Sequence, residues 1–90
     1  MNIELEEKRV VAKQDGIELG EMTFMQPNDD YYIIAHTGVS HEAKGLGVGK
    51  KMVAYFVEYV KQQDKKILPL CPFAKAEFDK NEAYQSLLVQ

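Results

Sequence analysis

A single cysteine, Cys71, rules out an internal disulfide framework. No apolar run approaches the roughly 20 residues needed to span a bilayer. Basic charge is also scarce, with 11 Lys and Arg against 14 Asp and Glu, a net charge of −3 and a pI near 5.3. A chain of that balance carries no basic footprint for nucleic acid or for an anionic membrane surface. The first residues alternate Ile3 and Leu5 with acids instead of forming a basic segment followed by an apolar one. No secretory leader is read there, and a reducing, cytoplasmic setting is the expectation. Internal repeats, low-complexity tracts, linker-like stretches and metal-ligand spacings are lacking too. Ninety residues without a boundary predict one domain over 1–90, long enough for one core layer and little else.

What is present falls into a clear order of elements. Arg9-Val10-Val11-Ala12 places a short strand over about 8–13, and Asp15-Gly16 is a tight-hairpin dipeptide. The return strand runs from Ile17 to Met25. Its apolar residues change phase between Ile17/Leu19 and Met22/Phe24, which predicts a bulge or face change at Gly20-Glu21. Tyr31 to Val39 is apolar on both alternating faces and reads as a central strand covered on both sides. Val48, Met52, Val53, Phe56 and Val60 follow helical spacing, giving an amphipathic helix from about Leu46 to Gln63. Ile67 to Leu70 forms a short strand whose Pro69 suggests an edge position. A helix over 73–80 follows, and Asn81 is placed to cap a final turn holding Tyr84, Leu87 and Leu88. The fold class is therefore α/β (α+β): a mixed sheet of three antiparallel strands plus one parallel strand after a right-handed crossover helix, with short C-terminal helices.

Three of the six glycines stand at alternate positions in Lys44-Gly45-Leu46-Gly47-Val48-Gly49-Lys50, between a strand and a helix. Without Cβ atoms, such a loop can turn its N–H groups inward. The helix that follows adds unpaired donors and a partial positive charge of about +0.5, which suits a phosphate. Two common phosphate motifs fail on spacing. A P-loop ending at Gly49-Lys50 needs glycine where Lys44 stands and Ser or Thr where Lys51 stands; a dinucleotide fingerprint counted from Gly45 needs glycine at Lys50.

What remains, Lys44-x-x-Gly47-x-Gly49, resembles the Gln/Arg-x-x-Gly-x-Gly/Ala signature of the GNAT acetyltransferase superfamily, with Lys44 in place of Arg or Gln. His36-Thr37-x-Val39, the glycine loop, Pro69-x-Cys71-Pro72-Phe73 and Tyr84 together resemble a small subgroup, the YjdJ-type or GNAT-like domain family. That likeness covers roughly residues 17 to 88 and implies a minimal GNAT fold. It also implies acetyl-coenzyme A as cofactor, with no metal, and transfer of an acetyl group to an unidentified amine, either a small molecule or a protein lysine. The chain departs from full-length members in two ways. Asp15-Gly16 leaves no room for the two helices that cover their acceptor site, and their C-terminal hairpin is missing.

The resemblance implies a division of roles. Backbone groups of Gly45, Leu46, Gly47, Val48, Gly49 and Lys50 would hold the pyrophosphate, with Lys44, Lys50 or Lys51 neutralising its charge. Thr37, Gly38 and Val39 would pair with the pantetheine arm. Cys71, ahead of Pro72 and a helix whose N-terminus lowers a thiol pKa, is the candidate acetyl carrier. Its bland alternative is a small buried hydrophobe. Tyr84 is the candidate proton donor to the leaving thiolate, or else part of a hydrophobic anchor with Leu87 and Leu88. His36, His41 and Glu42 are secondary candidates for a base; the alternative for His36, and the favoured one, is a structural histidine satisfied by hydrogen bonds, while exposed loop polarity explains His41 and Glu42 just as well. An open acceptor side also leaves room for a second copy of the chain as the missing wall. The alternative to an N-acetyltransferase is a non-catalytic module that binds coenzyme A or acyl-coenzyme A, or docks a partner.

Overall fold

Asp15 and Gly16 both adopt positive φ, 53° and 78°, as a two-residue type I′ turn requires. That turn joins strand β2 (Arg9–Gln14) to β3 (Ile17–Met25) as an antiparallel hairpin, in a computed structural model that describes residues 1–89. Strand β1 (Asn2–Leu5) adds antiparallel to the outer edge of β2, with Ile3 opposite Ala12 and Leu5 opposite Val10. This strand goes beyond the sequence reading, because two alternating apolar residues are too short a pattern to distinguish from coil. On the other side β3 pairs antiparallel with β4 (Tyr31–Val39), and β4 pairs parallel with β5 (Lys66–Pro69). The sheet order is β1-β2-β3-β4-β5, mixed, with β5 at an edge as Pro69 suggested.

The expected phase change is a bulge. Ala12 pairs with Gly20 and Lys13 with Glu18, so Leu19 is the extra residue on β3. A second bulge falls on β4, where Thr23 pairs with His36 and Phe24 with Ile34, leaving Ala35 over. Nothing in the alternation of β4 announced it.

Helix α1 (Val48–Gln62) lies across one face of the sheet and starts two residues later than the spacing predicted. Its Met52, Val53, Phe56 and Val60 are fully buried, against Val10, Met22, Ile34 and Ile67. Phe24 and Phe56 meet at 4.6 Å between ring centroids, with Tyr32 edge-on to both. The Tyr32 hydroxyl escapes an unpaired burial by donating to Gln63 Oε1 at 2.9 Å.

Cover on both sides of β4 is not what forms. Ala35 and His36 are exposed, and Tyr31 and Ile33 only half-buried, on the face away from α1. One long helix covers one face of a five-stranded sheet. The other face is closed over β2 by ions: Arg9 reaches Glu6 at 2.8 Å, Glu18 at 3.0 Å and Glu21 at 2.9 Å, and Val11 is fully buried on that side.

Helix α2 (Pro72–Lys80) and the short α3 (Glu82–Gln85) complete the chain, and Leu88 bridges in parallel to Ile67 on the outer side of β5. Asn81 occupies the N-cap position of α3 but does not cap it. Its backbone is extended and its Nδ2 donates back to the Glu77 carbonyl at 3.1 Å. Among the described residues no helix is long and apolar enough to cross a membrane.

Candidate functional site

Strands β4 and β5 stay paired only from Tyr31–Lys66 to Ile34–Pro69. There the N–H groups of Leu70 and Cys71 both converge on the Ile34 carbonyl, at 3.1 and 3.2 Å, and the ladder ends. Strand β4 runs on to Val39 with β3 as its only strand partner. Ala35, the extra residue of the bulge, sits where the strands part. From Ala35 to Val39 one backbone edge therefore faces a wedge with no strand beside it among the described residues, a surface ready to pair with an extended ligand.

The glycine loop closes the wide end of that wedge. After a short 3₁₀ turn (His41–Ala43), Gly45 and Gly47 take φ of 86° and 73°, values that glycine adopts without strain. Gly47 is the N-cap of α1 and offers no side-chain cap. The first helical bond is Lys51 N–H to the Gly47 carbonyl at 3.0 Å, so the N–H groups of Val48, Gly49 and Lys50 have no backbone partner among the described residues. Gly49 is glycine for a different reason: a Cβ there would lie 2.7 Å from the Phe73 ring, which rests over it. Helix N-termini of α1 and α2 are thereby brought close together.

Between them opens a cleft of about 520 Å³. Lys44, Gly45, Gly47, Val48, Gly49 and Lys50 form one wall, Val39 and Ala43 contribute beside it, and Phe73, Glu77 and Lys80 of α2 form the other. Of the residues singled out from sequence, Leu46 points to solvent instead, and Thr37 and Gly38 lie along the wedge outside this cleft. Lys51 is exposed and also lies outside the cleft lining.

Thr37 meets Cys71. The Cys71 thiol is 3.4 Å from Thr37 Oγ1, across the gap between the parted strands, and the residue is 6% exposed. Cys71 is the N-cap of α2, with Pro72 in the first turn. Burial pushes the thiol pKa up, but the Thr37 hydroxyl and the N–H groups at the start of α2, those of Ala74 and Phe73, outweigh it and hold it below its ordinary value. A buried sulfur that is nevertheless stabilised as an anion can act as a nucleophile.

Tyr84 packs its ring on Phe78, with centroids 5.4 Å apart, and lines no part of the cleft. Burial, and then the charge of Glu77, push its phenol up, so it holds its proton at neutral pH. His36 sits opposite Thr23 on the open face of the sheet, away from Cys71; His41 and Glu42 are exposed in the 3₁₀ turn. Glu77 and Lys80 are site residues beyond the sequence expectations. The signal was present, since Phe73, Glu77 and Lys80 fall at i, i+4 and i+7 of one helix, but a stripe of mixed polarity does not stand out as a face. Among the described residues no three His, Cys, Asp or Glu side chains gather as a metal site.

Comparison with known proteins agrees with this architecture. The family model for the GCN5-related N-acetyl-transferases matches residues 9–87. The NMR solution structure of a GCN5-like protein from Staphylococcus aureus is similar at 32% identity and a TM-score of 0.78, over 98% of this chain and 87% of that one. The crystal structure of Ard1 from Thermoplasma volcanium shares the fold at 16% identity and a TM-score of 0.62, over 69% of this chain and 43% of that one. No curated protein matches the sequence.

Proposed function

The chain belongs to the GCN5-related N-acetyltransferase family, and we propose that it binds acetyl-coenzyme A in the wedge and passes the acetyl group to an amine. The observation that carries this reading is the parting of β4 from β5 at Ile34, at the same end of the sheet as a glycine loop whose helix-start N–H donors have no backbone partner among the described residues. The residues fit such a ligand. Gly45 and Gly47 leave open space where side chains would stand, Lys44 and Lys50 flank it, and β4 offers an unpaired edge from Ala35 to Val39. Bound there, the cofactor supplies an acetyl group activated as a thioester.

The chain's own residues then have distinct tasks. The N–H groups of Val48, Gly49 and Lys50, with Gly45 and Gly47 shaping the loop, receive the pyrophosphate. Thr37, Gly38 and Val39 align the pantetheine arm by strand-like pairing. Cys71, held toward the thiolate by Thr37 and the start of α2, would attack the thioester carbonyl through Sγ, so that coenzyme A leaves as its thiolate. The amine would then take the acetyl group, releasing the Cys71 thiolate and losing its proton to solvent. Thermal melting with coenzyme A tests the binding step: at 100 times the dissociation constant the fold gains about 2.7 kcal/mol, and an unmoved melting temperature at millimolar ligand contradicts it. Mass spectrometry after incubation with acetyl-coenzyme A tests the carrier. Acetylated Cys71, with turnover lost in Cys71→Ala, is the expected result; an unmodified thiol with full turnover in the variant removes that role. Tyr84→Phe keeps the ring on Phe78, so only a proton-donor role costs turnover.

A second reading has its own observation. With β1 present, the first two strands are joined by Glu6-Glu7-Lys8 and the next two by the Asp15-Gly16 turn, so neither connection holds a helix to cover an acceptor. A module that binds coenzyme A without transferring from it would show the same thermal shift and no product with any amine.

A further inference from the structure

Resting on the reading that coenzyme A occupies this cleft, we infer that Lys80, held in place by the buried carboxylate of Glu77, is a second phosphate clamp on the α2 wall, facing the glycine loop. Glu77 is 3% exposed, the one charged residue buried among the described residues, and its side chain lines a cleft otherwise suited to anions. Burying a carboxylate costs several kcal/mol unless it is paired, and an apolar residue at that helical position would avoid the cost. Its partner is Lys80, whose Nζ lies 2.9 Å from Glu77 Oε2. The Lys80 side chain is itself 64% exposed and lines the same cleft as Lys44 and Lys50. Lysine has three N–H donors, so the contact to Glu77 leaves two for a ligand.

The pair therefore does something a free surface lysine does not. A long flexible side chain anchored at one donor is fixed at the cleft wall before any ligand arrives, and less ordering is required when a phosphate binds. Phe73 precedes the pair on the same face of α2 and sits over Gly49, so the wall as a whole runs from an apolar ring near the loop to a fixed cation further along. Such a wall fits a ligand carrying both an apolar or planar portion and phosphates. Lys80 is accordingly a specificity residue for the phosphorylated end of the cofactor, and Glu77 a positioning residue that acts through Lys80.

The test is calorimetric binding of coenzyme A, 3′-dephospho-coenzyme A and phosphate-free pantetheine to the full chain and to Lys80→Ala, Lys80→Arg and Glu77→Gln. Lys80→Ala is expected to weaken coenzyme A about three- to tenfold, to leave pantetheine unchanged and to flatten the salt dependence; Lys80→Arg restores most of the loss. Glu77→Gln is expected to weaken coenzyme A without further effect when combined with Lys80→Ala. Lys80→Ala with wild-type affinity for coenzyme A, or with an equal loss for pantetheine, overturns the clamp while leaving the cofactor reading intact. Absence of coenzyme A binding to the unaltered chain overturns both. Circular dichroism of each variant separates lost binding from lost folding, and Lys80→Arg keeps the proposal testable if Glu77→Gln does not fold.

Discussion

Thr37 stands on β4 beyond the point where β5 has left it, Cys71 stands at the N-cap of α2, and the 3.4 Å contact between their side chains spans the gap. Burial alone would make Cys71 an inert thiol. The hydroxyl and the first N–H groups of α2 reverse the sign, so the folded thiol ionises at lower pH than a free one. Thr37→Val removes the hydroxyl while keeping the shape. The ionisation midpoint, followed by the ultraviolet absorbance of the thiolate, is therefore expected to move upward; an unchanged midpoint would assign the effect to the helix alone. None of this was legible in the sequence beyond the Cys-Pro dipeptide, because the deciding partner is 34 positions away in sequence. The glycines were more legible. Gly47→Ala places a side chain at φ 73° with nothing to clash against, so strain alone acts, and a loss of about 1–2 kcal/mol in denaturant melts is expected.

Among the elements, α1 was read most fully, since its apolar spacing survives intact as the buried face and only the first two residues belong instead to the loop. Phe56, fully buried against Phe24 and Tyr32, is its most consequential side chain. Phe56→Ala is expected to cost about 3–5 kcal/mol in equilibrium denaturation, a large share of the roughly 5–15 kcal/mol that holds a typical domain folded. The wall formed by α2 is not legible in the sequence, because periodicity reports which face is apolar and says nothing of a mixed face turned toward a neighbouring loop. The β4 bulge was hidden for a similar reason: Ala35 interrupts the register without interrupting the run of apolar residues. The contact between α1 and α2 gives a direct check. Gly49→Ala forces the Phe73 ring aside, so coenzyme A binding is expected to weaken, with partial recovery when Phe73→Leu is added.

At the scale of the molecule, the chain is one helical layer on a sheet whose other face is exposed around β4 and lined with ions around β2. Arg9 gathers Glu6, Glu18 and Glu21, and its hydrogen bonds to Glu21, Glu18 and Glu6, in that order, hold its guanidinium protonated. Removing it by Arg9→Ala leaves three carboxylates together; the destabilisation is expected to be greater at low salt than at high salt, as screening relieves the repulsion. Composition anticipated the acidic balance but not its concentration on that face, which depends on the register of three strands. Two clefts lie toward opposite ends of β4. The one beside Met25, Pro27 and Ile33 is the larger, about 630 Å³ against 520 Å³, yet it has no glycine loop and no helix N-terminus. Size and chemistry thus point to different ends, and only the end with the glycine loop offers donors for a phosphate. Amide chemical-shift mapping during a coenzyme A titration decides between them. Binding in the wedge perturbs residues 35–39, 44–50 and 71–80 with little change around Arg9 and Met25; no perturbation at millimolar ligand, or one centred on the Met25 cleft, rules it out.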